Sequence, residues 1–336
     1  MRGLIKVGLG ACVIFILSSL VLLSGCAQLG ESKQQAVEHF IDTMVATQHV
    51  DKAELEALFT QVVVQDSVLQ KIRKPAEAMP WYVYRTKLIT DERIAEGVKF
   101  WSQHQDVLRR VEQDYGVPAQ IIVAIIGVET SYGKYTGRYR VLDALATLAF
   151  HYPPRSAFFT KELEAFLLLS RAENMPPLDS KGSYAGAMGL GQFMPSSFIH
   201  YAVDFDHDGK KDIWHNSSDA IASIANYFVQ HHWQVGQPIA MPVTVLGQQY
   251  KKIMNDQLKP DLRPSALESL DLKIIGAIDP DKKVKILEFK QQDGVEVWVG
   301  LDNFYCLTRY NHSPLYAMAV YQLSQIIVKK MIFNEE

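Results

Sequence analysis

Residues 118–133 read PAQIIVAIIGVETSYG, and this stretch decides what kind of fold the chain can adopt. Pro118 suits the start of a helix, where its missing N–H is not needed. Residues 121–128 are apolar all the way round a helical wheel, which is typical of a helix in the middle of a core. Glu129 stands at the end of this helix. The stretch therefore predicts a buried central helix that carries one carboxylate.

Glu129 is a candidate general acid because its surroundings are apolar. Burying an ionised carboxylate is costly. Desolvation therefore stabilises the neutral form and raises the pKa, as a general acid at neutral pH requires. A structural glutamate that turns outward or pairs with an arginine is the alternative. On this stretch alone that alternative is the more common case, since perturbed carboxylates mark functional sites only statistically.

A second stretch is rich in glycine: residues 182–195 read GSYAGAMGLGQFMP. It lacks the lysine and the spacing of a phosphate-binding loop. Small residues let the backbone approach a ligand closely. Ser183 and Gln192 add polar groups and the aromatic residues add flat faces, a combination that suits a sugar chain. A tight helix–helix contact is the alternative, and this stretch alone does not separate the two.

A third stretch, residues 204–212, reads DFDHDGKKD, with acids at positions 1, 3, 5 and 9 and glycine at position 6. This is the spacing of an EF-hand calcium loop. His215 replaces the usual glutamate at position 12, and Asp219 could supply the missing carboxylate. We expect a structural Ca²⁺ rather than an acidic surface turn, and no organic cofactor. The candidate ligands are Asp204, Asp206, Asp208, Lys210, Asp212 and Asp219.

The rest of the chain predicts a mainly α (α+β) fold. With 336 residues it has room for two or three domains, and a net charge of -3 gives no sign of nucleic-acid binding. The clearest helical periodicity runs from Asp91, a candidate N-cap, to a stop at Gly116. After Gly236, short Val- and Ile-rich segments with an Asp293-Gly294 turn predict an antiparallel sheet. The predicted units are a helical domain (36–115), a catalytic core (116–236), a small β domain (237–312) and a C-terminal helix that packs on the helical domain (313–336).

The N-terminus looks like a targeting segment. Arg2 and Lys6 precede an apolar run that ends in Leu23-Ser24-Gly25-Cys26, which resembles the lipobox of bacterial lipoproteins. We expect residues 1–25 to be a lipoprotein signal peptide, Cys26 to be lipidated and residues 26–35 to be a linker. An uncleaved membrane anchor is the alternative. The residue after Cys26 is alanine, which points to the periplasmic face of the outer membrane.

Three motifs occur in order and together resemble the membrane-bound lytic murein transglycosylase B family. They are ETSYG at 129–133, GAMGLGQFMPSS at 186–197 and YNHS at 310–313. The resemblance extends over residues 36–330. It implies a lysozyme-like helical catalytic core with an α-helical domain and a small antiparallel β domain.

The resemblance also implies the chemistry. The family cleaves the MurNAc–GlcNAc bond of peptidoglycan without adding water and leaves 1,6-anhydro-MurNAc ends. Glu129 would protonate the leaving oxygen and then, as a carboxylate, take the proton of the muramic acid 6-hydroxyl. The substrate's acetamido group would assist, as in other one-carboxylate glycosidases.

Further site residues follow from the same resemblance. Ser183 and Gln192 would position the acetamido group and the glycan, and Arg155 would hold a stem-peptide carboxylate. The family often carries an arginine pair there, whereas this chain has Pro154-Arg155. The residues expected to line the cleft are Tyr84, Tyr227, Tyr310, Asn311 and Tyr316.

Two other functions remain open. A hydrolytic muramidase would need a second, water-activating carboxylate near Glu129, and a non-catalytic wall-binding lipoprotein would not need Glu129 at all. The expected partners are peptidoglycan strands, the membrane through the N-terminal lipid, and other cell-wall enzymes. We expect the protein to be a monomer.

Overall fold

The structure is a computed structural model that describes residues 17–73 and 79–334, with the backbone alone at 17–32 and 333–334. Residues 1–16 of the predicted signal peptide and the side chain of Cys26 lie outside the described part. No helix in the described part is long and apolar enough to cross a membrane. The helices are α1 Leu17–Gln48, α2 Lys52–Phe59, α3 Asp66–Ile72, α4 Trp81–Leu88, α5 Asp91–Gln103, α6 Gln105–Tyr115, α7 Ala119–Thr130, α8 Val141–His151, α9 Ser156–Ala172, α10 Pro195–Tyr201, α11 Ser217–Gln230, α12 Asp302–Tyr310 and α13 Pro314–Asn334.

The strands form two small antiparallel sheets. They are β1 Tyr139–Arg140, β2 Lys181–Gly182, β3 Ala240–Val245, β4 Leu272–Ile274, β5 Lys285–Lys290 and β6 Val295–Gly300. β1 pairs with β2, and the other four lie in the order β4-β3-β6-β5. The predicted turn at Gly294 connects β5 to β6. The mainly helical class with a small antiparallel sheet is therefore confirmed.

Helix α7 lies at the centre of the main core. Residues 121–126 are completely buried, and α5, α6, α11 and α13 pack around the helix. This arrangement agrees with the all-round apolar pattern of the sequence. The last helix, α13, packs against α7 as well as against α4 and α5, so its contacts extend beyond the helical domain on which we expected it.

The helix predicted from Asp91 to the stop at Gly116 is interrupted. It breaks at His104, whose ring packs against Phe100 with centroids 4.4 Å apart. The N-cap is Thr90 rather than Asp91, because the Thr90 hydroxyl accepts the N–H of Arg93 at 3.2 Å. Gly116 ends α6 in the left-handed conformation, as expected.

Two further predictions differ from the structure. Residues 26–35, expected to be a linker, belong to α1; their Ala, Gln, Leu, Glu and Lys are good helix formers. Residues 237–312 are not all strand and loop, because α12 occupies Asp302–Tyr310. It buries Phe304 and Leu307 one helical turn apart.

Candidate active site

Glu129 lies in the last turn of α7 and is only partly exposed. Its Oε1 accepts a hydrogen bond of 2.6 Å from the hydroxyl of Tyr316. Its Oε2 has no hydrogen-bond partner among the described residues. Burial raises the pKa of Glu129 to about 7, and the hydrogen bond from Tyr316 acts in the opposite direction. This carboxyl can therefore carry a proton near neutral pH.

Tyr316 contacts the Glu129 carboxyl from a buried position. It lies in the first turn of α13 and is only 3% exposed. The resemblance placed Tyr316 on the wall of the cleft, but its hydroxyl is engaged with Glu129. Burial and the nearby Glu129 raise the pKa of Tyr316 well above its usual value, so the phenol stays a donor.

The glycine-rich stretch forms a tight backbone turn against the end of α7. Met188 and Phe193 exchange two backbone hydrogen bonds of 2.8 and 2.9 Å. The hydroxyl of Thr130, the residue after Glu129, donates to the carbonyl of Leu190 at 3.1 Å. The stretch is thus a loop fixed beside the carboxyl, and not the helix–helix contact that the sequence also allowed.

Tyr310 joins this loop to α12. Its hydroxyl donates to the carbonyl of Gly191 at 2.6 Å. A Cβ at Gly191 would lie only 2.8 Å from that hydroxyl, so the close approach requires glycine. The Glu129 carboxyl contributes to raising the pKa of Tyr310 above its usual value, after burial. Tyr310 therefore lies near the Glu129 carboxyl, and its predicted place on the wall of the cleft stays a prediction.

Ser183 and Gln192 hold the loop through their own side chains. The Oγ of Ser183 accepts the N–H groups of Ala185 and Ala187 at 3.2 and 3.0 Å. The Nε2 of Gln192 donates to the carbonyls of Gly189 and Thr136. The Oε1 of Gln192 has no donor among the described residues, so this oxygen is free to accept from a ligand.

The other residues expected to line the cleft differ in their burial and in their contacts. Tyr227 is buried and its hydroxyl donates to the carbonyl of Arg309 at 2.5 Å, so that hydroxyl is already engaged within the protein. Tyr84 packs on Trp81 and contributes to the raised pKa of Tyr316. Asn311 is partly exposed and its side-chain amide makes no hydrogen bond within the described residues.

Arg155 packs against aromatic side chains of α9. Its guanidinium stacks on the ring of Phe158, 4.4 Å from the centroid. It makes no ion pair or hydrogen bond with Glu129 in the part of the chain that the structure describes. Its predicted contact with a stem peptide stays a prediction.

Arg93 is a functional candidate that the sequence did not reveal. Its guanidinium donates to the carbonyls of Lys87 and Leu88, at the end of α4, at 2.9 and 2.7 Å. It also donates to the carbonyl of Gly127 at 2.9 Å and to the hydroxyl of Ser131 at 3.2 Å, on either side of Glu129. One side chain thus ties the helix of Tyr84 to the helix of Glu129. Its partners are mostly backbone carbonyls, which leave no pattern in a sequence.

The predicted calcium loop brings three carboxylates together. Oxygens of Asp204, Asp206 and Asp219 all lie within 4.8 Å of one another. Asp208 and Asp212 lie outside this cluster: Asp208 accepts the N–H of Lys210. Asp212 accepts the N–H groups of Trp214 and His215, in the turn that leads to α11.

The surroundings of the Asp219 carboxylate indicate whether the loop could hold a cation. It is completely buried and has no cationic side chain within ion-pair distance among the described residues. Two backbone N–H groups, from Phe205 and Asp212, reach its oxygens at 2.8 and 2.9 Å. Burial raises the pKa of Asp219, and Asp206 and Asp204 add to the effect. Buried carboxylates of this kind are usually paired or bound to a metal, so the cluster fits a hard divalent cation.

Comparisons with known proteins agree with this geometry. A family model described as "Transglycosylase SLT domain" matches residues 32–325. Membrane-bound lytic murein transglycosylase B of Escherichia coli (strain K12) is 43% identical over 300 residues, which are 86% of this chain and 82% of that protein.

Two solved structures are similar over most of their length. Catenated lytic transglycosylase SltB1 from Pseudomonas aeruginosa has a TM-score of 0.84 and 47% identity, covering 88% of this chain and 97% of that one. The Escherichia coli lytic transglycosylase SLT35 in complex with calcium has a TM-score of 0.82 and 43% identity, covering 88% and 94%.

Proposed function

The chain belongs to the family of the transglycosylase SLT domain, and from this premise we propose that it cleaves the MurNAc–GlcNAc bond of peptidoglycan without hydrolysis. The product would be a strand that ends in 1,6-anhydro-MurNAc. The observation that carries the proposal is the partly buried Glu129 with a pKa of about 7 beside the glycine-rich loop.

Glu129 acts twice in this reaction. Protonated, it donates its proton to the glycosidic oxygen as the bond to the anomeric carbon breaks. The resulting carboxylate then accepts the proton of the muramic acid 6-hydroxyl while that oxygen attacks the anomeric carbon and closes the ring. A pKa near 7 suits both steps, because neither protonation state is strongly disfavoured.

The surroundings of Glu129 favour a mechanism that uses one carboxylate over a mechanism that uses two. The raised pKa arises from burial and is modified by Tyr316, and no acidic side chain contributes to it. Glu162, a buried acid in α9, is engaged with the N–H and hydroxyl of Ser196. Usual glycosidases need a second carboxylate as base or nucleophile. A hydrolytic muramidase is therefore the less supported function.

Product analysis tests the proposal. Mass spectrometry of peptidoglycan digested by the purified protein is expected to show anhydro-muramic ends. Reducing ends would instead support the muramidase, and unchanged glycan would support the wall-binding lipoprotein.

A matched variant tests the role of the Glu129 carboxyl. Glu129→Gln keeps the shape of the side chain and the hydrogen bond from Tyr316, and we expect it to abolish cleavage while the protein stays folded. Retained cleavage by Glu129→Gln would refute the assignment. Gln192→Glu is not a suitable control. Its carboxylate could not donate the two hydrogen bonds that Nε2 of Gln192 makes to backbone carbonyls.

Calcium is proposed as a structural ion. Asp204, Asp206 and Asp219 would hold it, since Ca²⁺ prefers carboxylate oxygens. The solved relative in complex with calcium supports this choice. Bound there, the ion would neutralise three clustered carboxylates and fix the loop before α11, and it would take no part in the chemical step.

A lipid anchor at Cys26 is proposed as the means of membrane association, with the protein on the periplasmic face of the outer membrane. The relative from Escherichia coli is membrane-bound by name, and the sequence before Cys26 resembles a lipobox. Metabolic labelling with radioactive palmitate is expected to mark the protein, and Cys26→Ala to remove the label. Labelling that persists in Cys26→Ala would overturn the anchor.

A further inference from the structure

A groove of about 470 Å³ lies on the side of the glycine-rich loop that faces the calcium loop. Its walls come from residues 136–137, 173–181 and 210–215. Met175, Pro176 and Trp214 give it an apolar surface. The indole N–H of Trp214 donates to the carbonyl of Lys181 at 3.1 Å, which fixes the ring against β2. We call this cavity the lysine groove, because Lys181, Lys210 and Lys211 line it.

The lysine groove adjoins residues that are expected to hold the glycan. The carbonyl of Thr136, in its wall, accepts the Nε2 hydrogen bond of Gln192 at 3.1 Å. On the other side, Lys181 is followed directly by Gly182 and Ser183. An extended substrate that contacts Gln192 and Ser183 can therefore reach into the groove without leaving the protein surface.

The charged side chains of the groove have no ion-pair partners among the described residues and can therefore contact a ligand. None of its three lysine ammonium groups lies within ion-pair distance of a carboxylate in the described part of the chain. Three acids, Glu173, Asp179 and Asp212, also line the groove and make no ion pair among the described residues, although Asp212 already accepts the N–H groups of Trp214 and His215. Among the described residues the groove thus offers three unpaired cations and, in Glu173 and Asp179, two acids that are free of hydrogen bonds as well as of ion pairs, around an apolar surface.

We propose that the lysine groove binds the stem peptide carried by the muramic acid of the glycan strand. This inference rests on the proposed function. A glycan without peptides has little use for three lysines, whereas peptide carboxylates pair with ammonium groups. Small alkyl side chains of a peptide suit the surface formed by Met175, Pro176 and Trp214. Glu173 and Asp179 can accept from an amino group of the same peptide.

The calcium loop positions two of the three lysines. Lys210 and Lys211 belong to the segment whose backbone is held by carboxylates, since Lys210 N–H donates to Asp208 at 2.8 Å and Asp212 N–H donates to Asp219 at 2.9 Å. Ordering of that loop therefore also orders one wall of the groove.

The test compares two substrates that differ only in the peptide. One is intact peptidoglycan, and the other is the same glycan after an amidase has removed the stem peptides. The double variant Lys181→Ala/Lys211→Ala is expected to raise KM on intact strands about fivefold, the effect of weakening two partly exposed charge pairs. We expect kcat to stay within about twofold. The ratio of kcat/KM on intact strands to kcat/KM on stripped strands should fall by the same factor.

Lys251→Ala/Lys252→Ala is the matched control, because this pair of lysines is exposed in a 3₁₀ turn of the β-rich region. It should leave the ratio unchanged. A loss in the groove variant that is equal on both substrates, or no loss on either, would overturn the proposal. Failure of the wild-type protein to cleave either substrate would instead refute the proposed function.

Discussion

The hydroxyl of Tyr316 lies 2.6 Å from Oε1 of Glu129 and joins the first turn of α13 to the last turn of α7. The two residues are 187 positions apart in the sequence. Tyr316 can only donate here, because its pKa is raised far above the physiological range. A hydrogen bond donated to a carboxylate stabilises the charged form. Tyr316 thus limits how far burial raises the pKa of Glu129, and it fixes the position of Oε1.

Tyr316→Phe should therefore shift the pH dependence of cleavage. Without the donated hydrogen bond, the pKa of Glu129 rises above its present value of about 7. Because the first step needs protonated Glu129, the alkaline limb of kcat/KM is expected to move to higher pH. Initial rates of anhydro-product formation between pH 5 and 9 measure this. Tyr321→Phe is the control, since the Tyr321 hydroxyl on the same helix contacts the carbonyl of Ala240 instead. An alkaline limb that stays in place or moves down would contradict the relationship.

Glu129→Gln should change how stability depends on pH. The folded protein holds the proton of Glu129 more tightly than the unfolded chain, since the pKa rises from 4.5 to about 7. The free energy of unfolding of the wild type should therefore fall as the pH rises from about 5 to 8, by about 3 kcal/mol from this group. The variant lacks the buried charge, so its advantage over the wild type should grow over the same range. Urea unfolding of both proteins at pH 5 and pH 8 measures the difference, and a difference independent of pH would show that the pKa of Glu129 is ordinary.

Gly191→Ala probes the fit between the glycine-rich loop and Tyr310. The new Cβ would lie 2.8 Å from the Tyr310 hydroxyl and 3.1 Å from Cγ1 of Ile224. We expect Tyr310 to lose its hydrogen bond to the carbonyl of residue 191, at a cost of about 1–3 kcal/mol in unfolding free energy. Activity should fall as well, because the loop borders the carboxyl. Gly209→Ala is a useful contrast in the calcium loop, where a Cβ meets nothing within 4 Å but the positive φ still opposes it. A Gly191→Ala protein as stable and active as the wild type would show that the loop gives way easily.

Arg93→Lys tests the clamp between α4 and α7. A lysine ammonium cannot reach both the carbonyls at residues 87 and 88 and that of Gly127, because it lacks the planar fork of arginine. We expect kcat to fall about tenfold with little change in KM, since a displaced carboxyl affects the transition state more than ground-state binding. The pH dependence of kcat/KM should broaden or shift with the altered end of α7. Arg109→Lys is the control, because the exposed Arg109 pairs with Asp106 on its own helix. Equal loss of stability in both variants with unchanged kcat would leave Arg93 without a positioning role.

The parts of the fold that depend on local periodicity were predictable. Residues 121–128 are apolar all round, and the structure places 121–126 at the centre of the core. The break at His104 was not predictable, because the apolar stripe continues through it from Trp101 to Leu108. Helix α12 was missed since its nine residues contain three aromatic side chains in a region otherwise rich in strands.

The position of Glu129 at the end of a buried helix was predictable from the sequence, whereas the residues that hold it and the glycine-rich loop were not. Family resemblance gave Tyr227 and Tyr316 as cleft residues, but only the three-dimensional packing decides which tyrosine faces the substrate. The structure buries both and gives each hydroxyl a partner within the protein. In the calcium loop, spacing along the chain suggested Asp212 as a ligand. The backbone turns its carboxylate toward the N–H groups of Trp214 and His215, which no spacing rule anticipates.

Calcium removal should destabilise the protein through the cluster at Asp219. Without a cation, the carboxylates of Asp204, Asp206 and Asp219 repel one another within 4.8 Å. Calcium at about 100 times its dissociation constant would add about 2.7 kcal/mol to the unfolding free energy. The melting temperature should therefore fall on treatment with EGTA and recover when Ca²⁺, but not Mg²⁺ at the same concentration, is added back. Asp206→Asn should abolish this response, whereas Asp256→Asn, an exposed residue far along the chain, should preserve it. If calcium raises the melting temperature of Asp206→Asn as much as that of the wild type, the ion binds elsewhere.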